Sequence, residues 1–333
     1  MAMLPSGLAD RTWVTMERAG LQFAVAGSLS GGSVLSLPGN ERPLAATSGR
    51  VASAVYDATD HGGVTLIVRD VAAGHVLLQR RFDSAWILPD GVALTSSFIF
   101  FAMRPDANTE PTGVFRIDLA TGLLETLIEP DVARASILVS ANGRTLVSQG
   151  VGSEWQPVDV LGLQSGNRHQ LAVIGVPDQV SDQQLFCNDG SSFYAFSLGD
   201  GRLQWTIPDL RVVRGYLTSD GRQIVAQVGY DIDGFASISL SEASALPRIV
   251  VIDSGSGAIR PIRVGSSPLD GRYLWTQVSN DDVAVVISSG HYPEFDLLKG
   301  IGFVSTDLIN VHSGSTTPNG YAVTIPVAAI AHP

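Results

Sequence analysis

Two turn signatures recur along this chain, and that repetition constrains its fold more than any other feature, because copies of one small unit must stack to bury their apolar faces. The first signature is a β-rich run that ends in a polar or small residue, with Gly four positions later. It occurs as Asp70 with Gly74, Asp118 with Gly122 and Asp253 with Gly257, and in degraded form as Gly162 with Gly166, Ser197 with Gly201 and Asn310 with Gly314. Ser36 with Asn40 reads as a seventh copy. An alternating run follows, as Leu123 to Ile128 does after Gly122, so the unit is a strand, a tight turn that needs a positive φ, and a return strand.

The second signature is Asp or Asn followed by Gly ahead of an apolar strand: Asp90-Gly91, Asn142-Gly143-Arg144, Asp189-Gly190, Asp220-Gly221-Arg222 and Asp270-Gly271-Arg272. Both residue types tolerate left-handed geometry, which favours hairpin turns. Between Asn142 and Asp270 the two signatures alternate, so a unit holds two hairpins, that is four antiparallel strands, at a period near the ~40 to 50 residues of blade-type repeats. Runs from Val64 to Arg69, Ser97 to Met103, Gly113 to Asp118, Thr145 to Gln149, Gln223 to Val228, Arg248 to Asp253 and Val283 to Ser288 supply the strands, most of them rich in Val, Ile, Phe and Thr. No segment sustains a helical apolar period, and Gly or Pro interrupts nearly every window of helical length.

The pattern predicts an all-β chain, a β-propeller of about seven four-stranded antiparallel blades in a single domain over residues 1–333. The blades fall at approximately 12–49, 50–83, 84–133, 134–180, 181–211, 212–266 and 267–333. Six blades and a pair of β-sandwiches are the alternatives. Closing the ring removes exposed sheet edges and usually takes strands for one blade from both termini, here Thr12 to Glu17 and Tyr321 to Val327.

The segment Ala195-Phe-Ser197-Leu-Gly-Asp200-Gly201-Arg-Leu-Gln-Trp205 resembles the tryptophan-docking motif of quinoprotein-type propellers, with Ser197 and Asp200 where that motif has Asp and Thr. The Asp-Gly-Arg turns resemble those of WD40-like and TolB-like propellers. The likeness implies that Trp205 packs one blade on the next. Quinoprotein dehydrogenases also carry adjacent cysteines and more blades, so a single cysteine and one clean motif copy do not imply a PQQ cofactor.

The formal net charge of −11 repels phosphate backbones and argues against nucleic acid as a ligand. Cys187 is the only cysteine, which rules out an internal disulfide. That lone thiol and the charged segment from Met1 to Gly20 fit a cytoplasmic protein, although an exported protein with its leader removed would read the same way. No segment reaches the ~18 uninterrupted apolar residues of a membrane span.

In a four-stranded blade the loops joining first to second and third to fourth strands point to one face, and those joining second to third strands point to the other. The tight turns are expected on the first face. Five long insertions are expected between second and third strands: Asp57 to Gly63, Arg104 to Thr112, Gly150 to Pro157, Gly229 to Pro247 and Ser289 to Gly300. They carry Asp57, Asp60, Asp106, Glu110, Glu154, Asp231, Asp233, Glu242, Glu294 and Asp296 against only Arg104 and Lys299, which predicts an acidic face. Solvated loops that keep the protein soluble would have the same composition.

The first functional reading is a non-enzymatic propeller whose acidic loop face binds a protein partner or a small or cationic ligand. Trp155, Tyr230, Phe235 and Tyr292 would then be interface anchors, or else pack on the loop bases. The second is an enzyme of the lactonase, lyase or hydrolase kind, with a divalent metal or a His and carboxylate pair at the channel mouth. Its candidates are His61 beside Asp57 and Asp60, and His291 with Glu294 and Asp296, the latter three also being the candidate metal ligands. Tyr230-Asp231-Ile-Asp233-Gly234 has the alternating carboxylates of a calcium loop without the closing Glu. Cys187 has no His near it in sequence and reads as a buried, inert thiol, and no serine has a nucleophile elbow around it.

Overall fold

Strands with buried residues on both faces organise this chain. In Val64–Asp70 and Phe98–Arg104 runs of four or more neighbouring positions are buried or half-buried, as expected of central strands packed on either side. The computed structural model describes residues 2–3, 11–18, 21–28, 35–37, 40–47, 50–57, 62–70, 73–105, 111–140, 142–150, 157–218, 220–228, 249–262, 274–278, 283–288, 305–310 and 316–318. Among them every regular element is a strand.

The described strands form seven four-stranded sheets, each built from consecutive strands in spatial order. Sheet 1 holds β1 (Ala2–Met3), β2 (Arg11–Arg18), β3 (Leu21–Ser28) and β4 (Leu35–Ser36). Sheet 2 holds β5 (Arg42–Thr47), β6 (Arg50–Tyr56), β7 (Val64–Asp70) and β8 (Val76–Phe82). Sheet 3 holds β9 (Trp86–Leu94), β10 (Phe98–Arg104), β11 (Thr112–Asp118) and β12 (Leu124–Val132). Sheet 4 holds β13 (Arg134–Val139), β14 (Thr145–Gly150), β15 (Val158–Gly162) and β16 (Arg168–Leu171). Sheet 5 holds β17 (Val176–Val180), β18 (Gln184–Asn188), β19 (Phe193–Ser197) and β20 (Leu203–Ile207). Sheet 6 holds β21 (Val212–Leu217), β22 (Gln223–Val228), β23 (Ile249–Asp253) and β24 (Ile259–Ile262). Sheet 7 holds β25 (Leu274–Val278), β26 (Val283–Ser288), β27 (Ser305–Asn310) and β28 (Thr316–Pro318).

The sheets are copies of one unit down to their hydrogen bonds. At the end of the third strand, the Gly N–H donates to the carbonyl four residues earlier at 2.8–2.9 Å, in Gly74, Gly122, Gly166, Gly201 and Gly257 alike. All five have φ between 69° and 73°, the left-handed geometry the first signature requires. The residue after the first turn position reaches back to the preceding hairpin: Leu119 N to Ser97 O, Leu163 N to Arg144 O, Leu198 N to Gln183 O and Ser254 N to Arg222 O, at 2.7–2.9 Å. A hydroxyl closing the first strand is a further repeat that sequence inspection missed. Thr95, Ser140, Ser181 and Thr218 each accept the N–H that opens the second strand, from Phe98, Thr145, Gln184 and Gln223 at 2.9–3.1 Å.

The chain divides into two compact units, residues 35–189 with 194–206, and residues 1–34 with 190–193 and 207–333. In the first, consecutive opening strands β5, β9, β13 and β17 neighbour one another. Leu66, Ile87 and Phe101 share one core between sheets 2 and 3, Phe100, Ile137 and Leu146 another between sheets 3 and 4, and Val160, Leu185 and Phe196 a third between sheets 4 and 5. In the second unit β25 neighbours both β21 and β1, which sets the last sheet beside the first.

Two sequence expectations about Asp-Gly turns need correction. Asp90-Gly91 is not a hairpin turn: it lies inside β9, where five steps from Ile87 to Val92 face two from Met103 to Phe101. Gly91 is required there because a Cβ would stand 2.9 Å from the Ala102 Cβ. Asp189-Gly190 joins β18 to β19, second strand to third, and so leaves the end of its sheet opposite to the one expected. No described sheet draws strands from both termini: Thr12 to Glu17 lies in β2, within a sheet of N-terminal strands, and Tyr321 to Val327 lies outside the described residues. Ser36 ends β4 and Asn40 stands ahead of β5, so that pair opens the link from sheet 1 to sheet 2 and not a hairpin, while Asp270-Gly271 and Gly314 lie outside the described residues.

Candidate functional site

The five long insertions all join second to third strands: β6 to β7, β10 to β11, β14 to β15, β22 to β23 and β26 to β27. Most of the residues singled out in them, namely Asp60, His61, Asp106, Glu154, Trp155, Tyr230, Asp231, Asp233, His291, Tyr292, Glu294 and Asp296, lie outside the described residues. Asp57 and Arg104 are described, and both stand at the stems of their loops.

Asp57 is the residue that closes its own loop. Its N–H donates to Gly63 O at 2.9 Å, and its Oδ2 accepts the Gly63 N–H at 2.7 Å. Arg81, near the end of β8, adds Nη2 to Oδ2 at 2.8 Å and also pairs through Nε with Asp83 at 2.7 Å. The Arg81 hydrogen bond, with the Gly63 N–H behind it, holds the Asp57 carboxyl below the usual carboxylate range. Loop composition alone could not reveal this partner, because Arg81 arrives from the fourth strand, opposite Thr65. The Asp57 carboxylate is thus a staple that shares the Arg81 charge with Asp83.

Arg104 ends β10 opposite Trp86, the first residue of β9, so the two side chains stand on one face of the sheet. Its Nε is buried without a hydrogen-bond partner among the described residues. Trp86 in turn meets Tyr56, with ring centroids 4.5 Å apart and planes tilted by 40°, and Tyr56 Oη donates to Ile87 O at 2.8 Å. Tyr56 directly precedes Asp57, so sheets 2 and 3 meet through these aromatics at the insertion end.

Sheet 4 carries a buried polar network at the same end of its strands. Arg134, opening β13, donates through Nη1 to Asp159 Oδ2 at 2.7 Å and to Ser148 Oγ at 3.2 Å. Arg168 donates to the same carboxylate at 2.9 Å through Nη2, and Gln170 Nε2 donates to Oδ1 at 3.1 Å. Burial pushes the Asp159 carboxyl upward, but the Arg168, Arg134 and Gln170 hydrogen bonds outweigh it and hold the group below its ordinary value. In sheet 2, Glu41 is buried and takes Ser53 Oγ at 2.7 Å together with the Arg69 guanidinium. These are internal ties that no loop reading could find.

Cys187 is fully buried in β18, and burial, helped by the charge of Asp178, pushes its thiol far above the ordinary value. Trp205 meets Phe186 of its own sheet with ring centroids 5.9 Å apart. Among the described residues no three His, Cys, Asp or Glu side chains stand together as metal ligands, and no helix is long and apolar enough to cross a membrane.

No protein-family model matches the chain, and no curated protein matches it in sequence. Solved structures do match. The β-propeller domain of the Trilobed protease from Pyrococcus furiosus, described as having an open velcro topology, aligns over 96% of this chain and 97% of its own at 11% identity, with a TM-score of 0.59. A prolyl endopeptidase aligns over 94% of this chain with a TM-score of 0.61 at 13% identity, and this chain spans only 48% of its length. A chain of the mitotic checkpoint complex aligns over 86% of each chain at 12% identity, with a TM-score of 0.54. At such identities the likeness establishes architecture alone. Consecutive four-stranded antiparallel sheets with one set of repeated turn bonds, matched end to end by a solved propeller domain, make this chain a β-propeller protein.

Proposed function

We propose that this chain is a non-enzymatic propeller whose long second-to-third-strand loops form an acidic binding face for a protein partner or a cationic ligand. The observation that carries the reading is the placement of all five long insertions between second and third strands, whereas the first-to-second and third-to-fourth connections of sheets 2 to 5 are short turns. Loops longer than strand closure needs, gathered at equivalent positions of a rigid repeat, are the usual substrate for recognition. Their composition, with ten carboxylates against Arg104 and Lys299, sets the sign of the ligand, although Arg81 pairs with Asp57.

The test is calorimetric titration with an oligolysine peptide and, as control, oligoglutamate. Binding of oligolysine alone is expected, weakening as salt is raised and dropping in the D231N/D233N/E242Q variant. Absence of binding, or binding unchanged by the three substitutions, contradicts the reading. A stoichiometric metal that copurifies and is lost from H291A/E294Q would support the enzyme reading instead.

A further inference from the structure

The insertion end of sheet 3 holds one charge that the described structure leaves unanswered. Arg104 is half-buried, its Nε is shielded from solvent without a partner, and no described carboxylate pairs with its guanidinium. The carboxylates at the equivalent ends of the flanking sheets are already committed. Asp57 of sheet 2 takes Arg81 and the Gly63 N–H, and Asp159 of sheet 4 takes Arg134, Arg168 and Gln170. A half-buried guanidinium with its Nε shielded and no described counter-charge is best answered by a planar anion that can accept two parallel N–H bonds. On the same face of the strand pair stands Trp86, whose ring is fixed against Tyr56. An aromatic side chain on the same strand-pair face as a fork of donors suits a carboxylate carried on a flat apolar body rather than a strongly hydrated inorganic anion.

We propose that Arg104, with Trp86 and Tyr56 beside it, forms a recognition site for an aromatic carboxylate at the insertion end of sheets 2 and 3. The guanidinium takes the carboxylate and the rings take the body. The site goes beyond the acidic-face reading and does not depend on it, since its ligand has the opposite charge and its residues belong to loop stems.

Phenylacetate, its uncharged amide and inorganic phosphate serve as probes, titrated by calorimetry into the intact protein. Phenylacetate is expected to bind saturably, with the amide at least about tenfold weaker, the loss anticipated for one charge-assisted hydrogen-bonded contact, and phosphate also weaker because it has no apolar body for the rings. R104Q should lose that affinity, R104K should retain part of it, and R144Q, at an exposed first hairpin, should bind like the parent. Thermal melts of each variant separate lost binding from lost folding, and R104K keeps the test open should R104Q fail to fold. No saturable phenylacetate binding, or binding that survives R104Q, overturns the site. Phosphate binding as tight as phenylacetate overturns its aromatic selectivity. Because oligolysine binding is read separately, either proposal can fail while the other stands.

Discussion

Replacing Asp159 with Asn removes the buried carboxylate that Arg134 and Arg168 share, and breaking a buried ion pair at one partner is among the costlier defects a core can carry. D159N is therefore expected to destabilise the protein by about 3–5 kcal/mol in urea unfolding, against a change near zero for substitution of an exposed turn residue such as Arg144. A loss below about 1 kcal/mol would mean that the Asp159 charge is not what holds this network. Cys187 makes a second expectation at this scale. With its side chain fully buried and its thiol pushed upward, it should not react with a disulfide reagent in native buffer and should react stoichiometrically once guanidinium unfolds the chain. At this scale the sequence was legible where one residue suffices and opaque where two must meet. Cys187 read correctly as buried, because it lies in the apolar run Leu185-Phe186-Cys187 of a strand. Asp57 read as a free loop acid because the arginine that pairs with it sits 24 positions away on a strand that joins the loop only through sheet pairing.

At the scale of the element, glycine positions separate two kinds of constraint. Gly122 has φ +70° with nothing within 4 Å of a built Cβ, so G122A should cost about 1 kcal/mol, from backbone conformation alone. Gly175 has φ +84° and would drive a Cβ to 2.7 Å from Asn188 O, a backbone atom that cannot swing aside. G175A should therefore lower the melting temperature clearly more than G122A, and equal effects would remove close approach as the reason for Gly175. The elements most legible in sequence were second and third strands, such as Val64–Asp70 and Gln223–Val228, which are apolar because neighbours cover them. Outer strands were less legible, the run from Leu123 to Ile128 apart. Arg168–Leu171 exposes three of its four residues, and its composition is that of a loop. Strand β9 was misread because an irregular pairing, invisible in a single chain, needs the same Asp-Gly pair that a hairpin would.

For the whole molecule, acid is the informative perturbation. Asp57, Asp118, Asp159, Asp200 and Asp253 are all held below their ordinary values in the fold, by arginine hydrogen bonds at Asp57, by arginine and glutamine bonds that overcome burial at Asp159, and by turn N–H or hydroxyl groups at the other three. A depressed carboxyl contributes stability that is complete above its unfolded value, near about 4, and is lost as pH falls through the lower folded value. Stability from these groups should be level between pH 6 and 7, about two units or more above that unfolded value, and decline steeply below about pH 4. A decline beginning near pH 6 would assign the effect to histidine instead. The repeat itself was the most legible property of all, since turn chemistry recurs wherever the unit recurs, and Asp118 with Gly122 already implies the hairpin that forms.

The direct test of the account is a crystal structure of the full chain, read for where the five long insertions emerge. Seven sheets set around one axis, with residues 57–63, 105–111, 151–157, 229–248 and 289–304 on a common rim, is the predicted result. Insertions divided between opposite ends, or sheets stacked as two slabs without an axis, would contradict it.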